Sequence, residues 1–390
     1  MGAVSLGKTS GMKKLSLVIP SLLAVWFSAL FALEAPKKKE AGPKLQFINA
    51  SQEEIAIFWI NPNGERVSNG ILPPSEETII ATTLGHEFEV IGKQSKTKRK
   101  VTCKVPVQGF RFDPASKTNV PTFYSQEVKA MGYPIVASAK VNPYALKEAA
   151  YLASKMLAKR PDVAKAMVES GARMCVMAYD EFTTDLPEFA RLAEGKDDYY
   201  PGVSAKNFWD ARARGLGGSL EDPFCSCGEE NLLGYPGDPY AEENILIHEF
   251  AHNIHLRGMV NVDATFDDRL EKAYQKAMKA ELWKDKYAAT NRFEYFAEGV
   301  QSWFGNNREN DHDHNHVNTR EELLAYDPVL AGFCREVFGD TELVYTKPAT
   351  RLTGHMAGYD PSTAPTFEWP ERLQKAKAEI KRKSLEADQK

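Results

Sequence analysis

The chain reads as multidomain, an all-β sandwich module followed by an α+β, mainly helical, domain. Three observations predict this. At 390 residues it exceeds one ordinary domain. Short runs rich in β-branched and aromatic residues crowd residues 44–107, whereas apolar residues at helical spacing prevail after Asn142. A proline-bearing stretch, 108–140, separates the two patterns and reads as a linker.

The first element, 1–35, is a leader. Lys8, Lys13 and Lys14 precede the uncharged run Leu15–Leu33, and Lys37, Lys38 and Lys39 follow it. Basic, apolar and polar regions in that order describe a secretory signal peptide, with cleavage expected after Ala32. The run is also long enough for an uncleaved membrane anchor. The expected location is secreted or extracytoplasmic, with membrane contact only if the anchor is retained.

The module 44–107 follows. Leu45–Asn49, Ile55–Ile60, Thr78–Thr83 and Glu87–Ile91 are strand-like, and Asn61-Pro-Asn-Gly64 and Pro73-Pro74 are turns, which together predict a small antiparallel sandwich. Past the linker, a helix is expected from Asn142-Pro143 through Leu157, and a buried strand over Ala172–Ala178. Gly215-Leu-Gly-Gly218 lacks the lysine of a phosphate loop and reads as a turn or the lip of a cleft. The charged tail, 370–390, reads as a solvated helix.

Composition narrows the function. The net charge is −4, from 49 basic and 53 acidic residues, and offers no reason to expect a nucleic-acid partner. The five cysteines, Cys103, Cys175, Cys225, Cys227 and Cys334, leave at least one unpaired. Cys225-Ser-Cys227 has no second pair at finger spacing, so a disulfide or free thiols are expected there, not a metal site.

The chemistry is concentrated in 141–369. His248-Glu-Phe-Ala-His252 places two histidines four apart, one above the other on a helix, where both imidazoles can reach one ion. Glu249 is then placed to take the proton of a water at an open coordination position. Imidazole and carboxylate donors suit zinc. Ile245, Leu246, Ile247, Phe250, Ala251 and Ile254 would bury this helix. A third ligand is offered by Glu294-Tyr-Phe-Ala-Glu298, where two glutamates share one face of a mostly apolar helix. Glu294 is the economical ligand, and Glu298 an acceptor for the other N–H of a ligand histidine. Gly258 occupies the position of a third histidine ligand six places after His252, so that alternative is absent. His255 reads as a pocket wall or a hydrogen-bonded core histidine. His312, His314 and His316 alternate in a polar loop, read as a solvated connection or as a second metal or substrate-contacting loop. A helix is expected to begin at Thr319-Arg-Glu-Glu322.

The segment Tyr287-Ala-Ala-Thr-Asn-Arg-Phe-Glu-Tyr-Phe-Ala-Glu298 resembles the corresponding segment of anthrax lethal-factor-type zinc metallopeptidases, which are gluzincins. The resemblance spans about Glu243 to Phe304 and implies a gluzincin-like metallopeptidase domain. It further implies that Glu294 binds zinc and that Tyr287 assists the transition state. The order Phe47-Ile-Asn-Ala-Ser51, Trp59, Asn63-Gly64, Leu72-Pro-Pro74, Thr82, Gly85-His86 resembles the β-domain of the von Hippel–Lindau tumour suppressor. That family binds hydroxyproline in a protein ligand, and Trp59, Thr82 and His86 fall on its pocket positions. Asn69 stands where the family has tyrosine, Phe88 where it has tryptophan and Thr82 where it has serine, so peptide binding and simple packing both remain open for the module.

The expectation is an exported, zinc-dependent metallopeptidase acting on a protein or peptide substrate. Its zinc would be held by His248, His252 and Glu294, with Glu249 as general base and Tyr287 as oxyanion donor. The alternatives are a non-catalytic peptide-binding protein with a vestigial metal site and a zinc amidase acting on non-protein amides.

Overall fold

The computed structural model describes residues 42–195, 202–220 and 222–388. The leader expected at 1–35 lies outside these residues, and no helix among them is long and apolar enough to cross a membrane.

Alternation of apolar and polar residues builds the first unit. β1 (Lys44–Asn49), β2 (Ile55–Ile60), β3 (Arg66–Leu72), β4 (Glu77–Ala81), β5 (Glu87–Gly92), β6 (Lys98–Thr102) and β7 (Val107–Phe112) form two sheets, ordered β4-β1-β7 and β3-β2-β5-β6. Their inward residues Leu45, Phe47, Ile55, Ile57, Leu72, Phe88, Val90, Phe110 and Phe112 make one core. Phe47 meets Phe88 and Phe110 edge-on, with centroids 5.4 and 6.1 Å apart.

Two expectations change here. The sandwich is not wholly antiparallel, because β1 and β7 pair in parallel. The stretch 108–140 is no linker: β7 supplies Phe110 and Phe112 to the sandwich core, and two further strands open the second unit. Burying those phenylalanines is worth roughly 1.5–3 kcal/mol each, which recruits the segment despite its prolines.

The second unit is built on a five-stranded sheet of β8 (Gln126–Ala130), β9 (Tyr133–Ala137), β10 (Arg173–Met177), β11 (Gly215–Leu216) and β12 (Phe224–Gly228), ordered β11-β12-β10-β9-β8. β9, β10 and β12 run parallel, and β8 and β11 flank them as antiparallel edges. The Ala172–Ala178 expectation corresponds to β10, every residue of which is buried, as a central parallel strand requires. Helices Pro143–Leu157, capped by Asn142, and Pro161–Glu169 connect β9 to β10. Among the described residues, the N-terminal part is therefore sheet, and helices dominate the C-terminal part.

β7 also joins the units. Asn261 accepts from Val107 N at 2.7 Å and donates back to Val107 O at 3.1 Å, and Gly109 N donates to Ser170 O at 2.9 Å. Gly171, at φ +80°, lets this approach occur; a Cβ there would strike the Gly109 carbonyl.

The tail is helical from Glu371 to Asp388, but it is docked rather than solvated. Leu373, Ala376 and Ile380 bury against Phe182, Phe208 and Trp209, a stripe that its abundant charges hide in a simple composition reading. All five cysteines are buried free thiols.

Candidate metal centre

Helix Ile245–Asn253 carries the paired histidines. Asn244 caps it, accepting from Ile247 N at 3.1 Å, and Leu246, Ile247, Phe250 and Ala251 are fully buried. Its far end is tied to the sheet by Tyr133, which donates to Asn253 Oδ1 at 3.1 Å and packs edge-on against Phe250. The chain then widens into a π-helical turn, Ile254–Met259. Gly258 in that turn faces Val163 and Met167 so closely that a Cβ would not fit, so the site has no room for a ligand histidine there.

Helix Arg292–Trp303 supplies the carboxylate. Asn291 caps it, accepting from Phe293 N at 2.8 Å and Glu294 N at 3.0 Å. Glu294 thus sits in the first turn, where free N–H groups and the helix dipole favour negative charge. Glu294, Glu298 and Gln301, spaced at i, i+4 and i+7, form one buried stripe turned toward the histidines.

The two helices bring His248, His252 and Glu294 together. Glu294 Oε2 lies 3.0 Å from His248 Nε2 and 3.3 Å from His252 Nε2, and all three side chains are buried. One potential ligand atom from each falls within 4.8 Å of the others, so the group could hold a metal ion. Two imidazole nitrogens, one carboxylate oxygen and no thiolate make a donor set that fits zinc at a site with an open position.

Electrostatics follow from this crowding. Burial alone would raise the Glu294 carboxyl, but His252 and His248 overcome it and hold Glu294 well below the usual carboxylate range. Burial likewise opposes charging His248, yet Glu294 raises its pKa above the ordinary imidazole value. Glu249 is pushed up to about 7 by burial, against the pull of His248 and His252. Tyr287, in a 3₁₀ turn, has its ring centroid 6.1 Å from that of His248. Burial and then the Glu294 charge keep its phenol well above 10, so it remains a proton donor.

The neighbours of the ligands differ from expectation. His248 Nδ1 lies 2.8 Å from Gln301 Oε1 and 3.6 Å from Glu298 Oε1, so Gln301 is its hydrogen-bond partner. Glu298 is engaged elsewhere, accepting from Asn307 Nδ2 at 2.9 Å with His314 Nε2 at 3.4 Å. The 310–316 loop is accordingly not a solvated connection throughout. Asp311 accepts from the backbone N of Asp313 and His314, curling the chain so that His314 turns inward. Burial opposes protonating His314, but Glu298 prevails and raises its pKa to about 9. His312 stays exposed, and His316 packs against Tyr326. The loop also holds Tyr287, whose backbone N donates to Asp313 O at 2.8 Å. The helix expected at Thr319 does begin there, and Thr319 and Glu322 form its capping box.

The glycine-rich stretch supplies the wall of the site. Gly215-Leu216 is the edge strand β11, and a Cβ at Gly215 would crowd Glu249 while one at Gly217 would overlap the His252 ring. Arg212, at the end of helix Ala205–Arg212, is buried close by. Burial lowers its pKa, while Tyr287, Glu294 and Glu249 pull it back up. Gln301 and Arg212 have no part in the sequence reading, and His314 enters it only as one of three alternating loop histidines. The seven-residue offset from Glu294 was the available signal for Gln301.

Other singled-out residues fall as follows. His255 is fully buried, with Nε2 3.0 Å from Asp267 Oδ1 and rings of Phe266, Phe293 and Phe296 around it, which makes it a core histidine. In the sandwich, Trp59, Thr82 and His86 do come together: the Trp59 and His86 centroids are 5.0 Å apart, and Thr82 Oγ1 is 3.1 Å from His86 Nδ1. Trp59 also packs against the sandwich core. No family model matches this chain, and no curated protein matches it.

Proposed function

We propose that the protein is a zinc-dependent metallopeptidase of gluzincin type. The observation that carries this reading is the convergence of His248 Nε2, His252 Nε2 and Glu294 Oε2 beside Glu249 and Tyr287. A zinc ion at these ligands would act as a Lewis acid toward a water and toward the substrate carbonyl. Glu249 takes a proton from that water as its oxygen bonds to the carbonyl carbon. The same carboxyl then passes the proton to the amide nitrogen as the C–N bond breaks, so the products are an amine and a carboxylic acid, which then ionises and releases the second proton of the water. Burial, which raises the carboxyl above its ordinary range, suits a group that must both take and return a proton. Tyr287 keeps its proton and donates a hydrogen bond to the oxygen that gains negative charge.

Edge strand β11 supports a peptide as the substrate. Among the described residues it has one strand neighbour, β12; Gly215 within it lies against Glu249, and Gly217 just after it lies against His252. An extended peptide pairing with its outer side would carry its backbone past the reacting groups. The apolar leader supports an exported enzyme.

An unbiased peptide library tests this reading. The purified chain should cleave it, strong chelation should stop cleavage, and zinc should restore it. Glu249→Gln should keep its zinc but lose roughly 10²–10⁴-fold in turnover. A zinc-loaded Glu249→Gln enzyme that cleaves at the wild-type rate contradicts the mechanism.

A further inference from the structure

Among the polar groups behind the ligands, Gln301 stands out, since it is fully buried and both ends of its amide are engaged. Its Oε1 meets His248 Nδ1 at 2.8 Å, and its Nε2 donates to Glu243 Oε2 at 2.9 Å. Glu243 is itself buried, and its other oxygen, Oε1, lies 3.5 Å from Arg308 Nε. Arg308 has only donors, so the Glu243 carboxylate, facing donors on both sides, acts purely as acceptor. This orients the Gln301 amide: NH₂ toward Glu243, carbonyl toward His248. An imidazole nitrogen facing a carbonyl must carry the proton. In the neutral imidazole that a metal would bind, the lone pair of His248 therefore lies on Nε2, the atom that faces Glu294.

We propose that Gln301, oriented by the Glu243–Arg308 pair, is the positioning residue that fixes the metal-binding tautomer of His248. The relay runs Arg308, Glu243, Gln301, His248, and it starts at the foot of the histidine-rich loop. Arg308 also lies 3.2 Å from Asp311 and 3.3 Å from Asp313, so the loop holds the far end of the relay in place. Glu298, at 3.6 Å from Nδ1, adds a weaker acceptor on the same side. The inference rests on the metallopeptidase reading of the site.

Its most telling consequence lies at Glu243, which is two hydrogen bonds from any ligand nitrogen. Glu243→Gln changes almost no volume but introduces an NH₂. The guanidinium of Arg308 claims the new amide's oxygen, so its NH₂ faces Gln301. The Gln301 amide then flips and presents a donor to His248 Nδ1, which works against the tautomer the metal needs. Replacing Arg308 as well frees the new amide to turn its oxygen to Gln301, which restores the original orientation.

The test uses the full chain. Zinc affinity is measured by chelator competition, the visible spectrum is recorded after cobalt substitution, and the thermal midpoint is recorded without metal. Gln301→Leu and Glu243→Gln should each bind zinc about 10–100-fold more weakly and alter the cobalt spectrum. Arg308→Met alone should weaken zinc less than Glu243→Gln does, because the Glu243 carboxylate still offers Gln301 only an acceptor, and Glu243→Gln/Arg308→Met should regain much of what Glu243→Gln loses. A merely structural contribution predicts the opposite, with the double variant the weakest of the set. Unchanged zinc affinity in Gln301→Leu, or no recovery in the double variant, overturns the relay while leaving the metallopeptidase reading intact. A wild-type chain that binds neither zinc nor cobalt overturns both.

Discussion

The metal centre and the Trp59 cluster of the sandwich both gather aromatic and imidazole side chains, yet they use their polar atoms differently. Around His248 both ring nitrogens are committed, one toward Glu294 and one toward Gln301, and the partners of those partners are committed in turn. Around His86 the imidazole has one side-chain hydrogen-bond partner, Thr82, and the indole N–H of Trp59 is buried without a hydrogen-bond acceptor. Orienting a chain of buried polar groups costs conformational freedom and desolvation, so a fold carries such a chain where geometry matters to chemistry. A tryptophan whose ring rests on Phe-rich core needs no such chain. The comparison sets the first cluster apart as the candidate metal centre, and in the second it gives packing a larger share than the sequence resemblance did.

Substitutions can break or sharpen this contrast. The largest effect is expected from Glu294→Ala, which should abolish stoichiometric zinc binding, since no other described carboxylate joins the two histidines in a ligand group. Metal analysis after dialysis checks it, and retained zinc would remove Glu294 from the ligand set. Tyr287→Phe comes next: zinc content and KM should hold while kcat falls by roughly 10²–10³-fold, the range for losing one oxyanion donor. A rise in KM with unchanged kcat would instead place Tyr287 in substrate binding. Glu298→Ala should weaken zinc only at the low end of about 10–100-fold, because Gln301 holds the nearer position on His248. If it costs more than Gln301→Leu, the two roles are exchanged.

The smallest effects belong to the sandwich. Trp59→Ala should lower stability by about 3 kcal/mol through lost packing, measured by denaturant unfolding, with turnover of short peptides unchanged. His86→Ala should cost under about 1 kcal/mol. Were His86→Ala to raise KM for hydroxyproline-containing proteins and not for their proline counterparts, the module would be a recognition site after all.

Much of the metal centre was legible because its signals are local. His248 and His252 lie one helical turn apart, Glu294 and Glu298 another, and Asn244 and Asn291 mark where each helix starts. What escaped depended on the fold. Gln301 is an ordinary amide until its helix turns it toward His248, and His314 is one of three alternating histidines until Asp311 curls the loop. β3 and β6 carry little apolar alternation: Arg66–Leu72 faces solvent along most of its length, and Lys98–Thr102 is a basic, partly exposed run. β11 is two residues long, and the close approach of this stretch to Ile245, Glu249 and His252 explains why residues 215 and 217 are glycine. In β7, the turn-like Gly109 masked two inward phenylalanines.

The central claim is that His248, His252 and Glu294 hold a zinc ion, and X-ray absorption at the zinc edge of the loaded protein tests it most directly. The account predicts a nearest shell of nitrogen and oxygen alone at about 2.0–2.2 Å, with multiple scattering from two imidazoles and no sulfur. A sulfur shell at about 2.3 Å would instead put the ion on cysteines such as Cys225 and Cys227, and would contradict it.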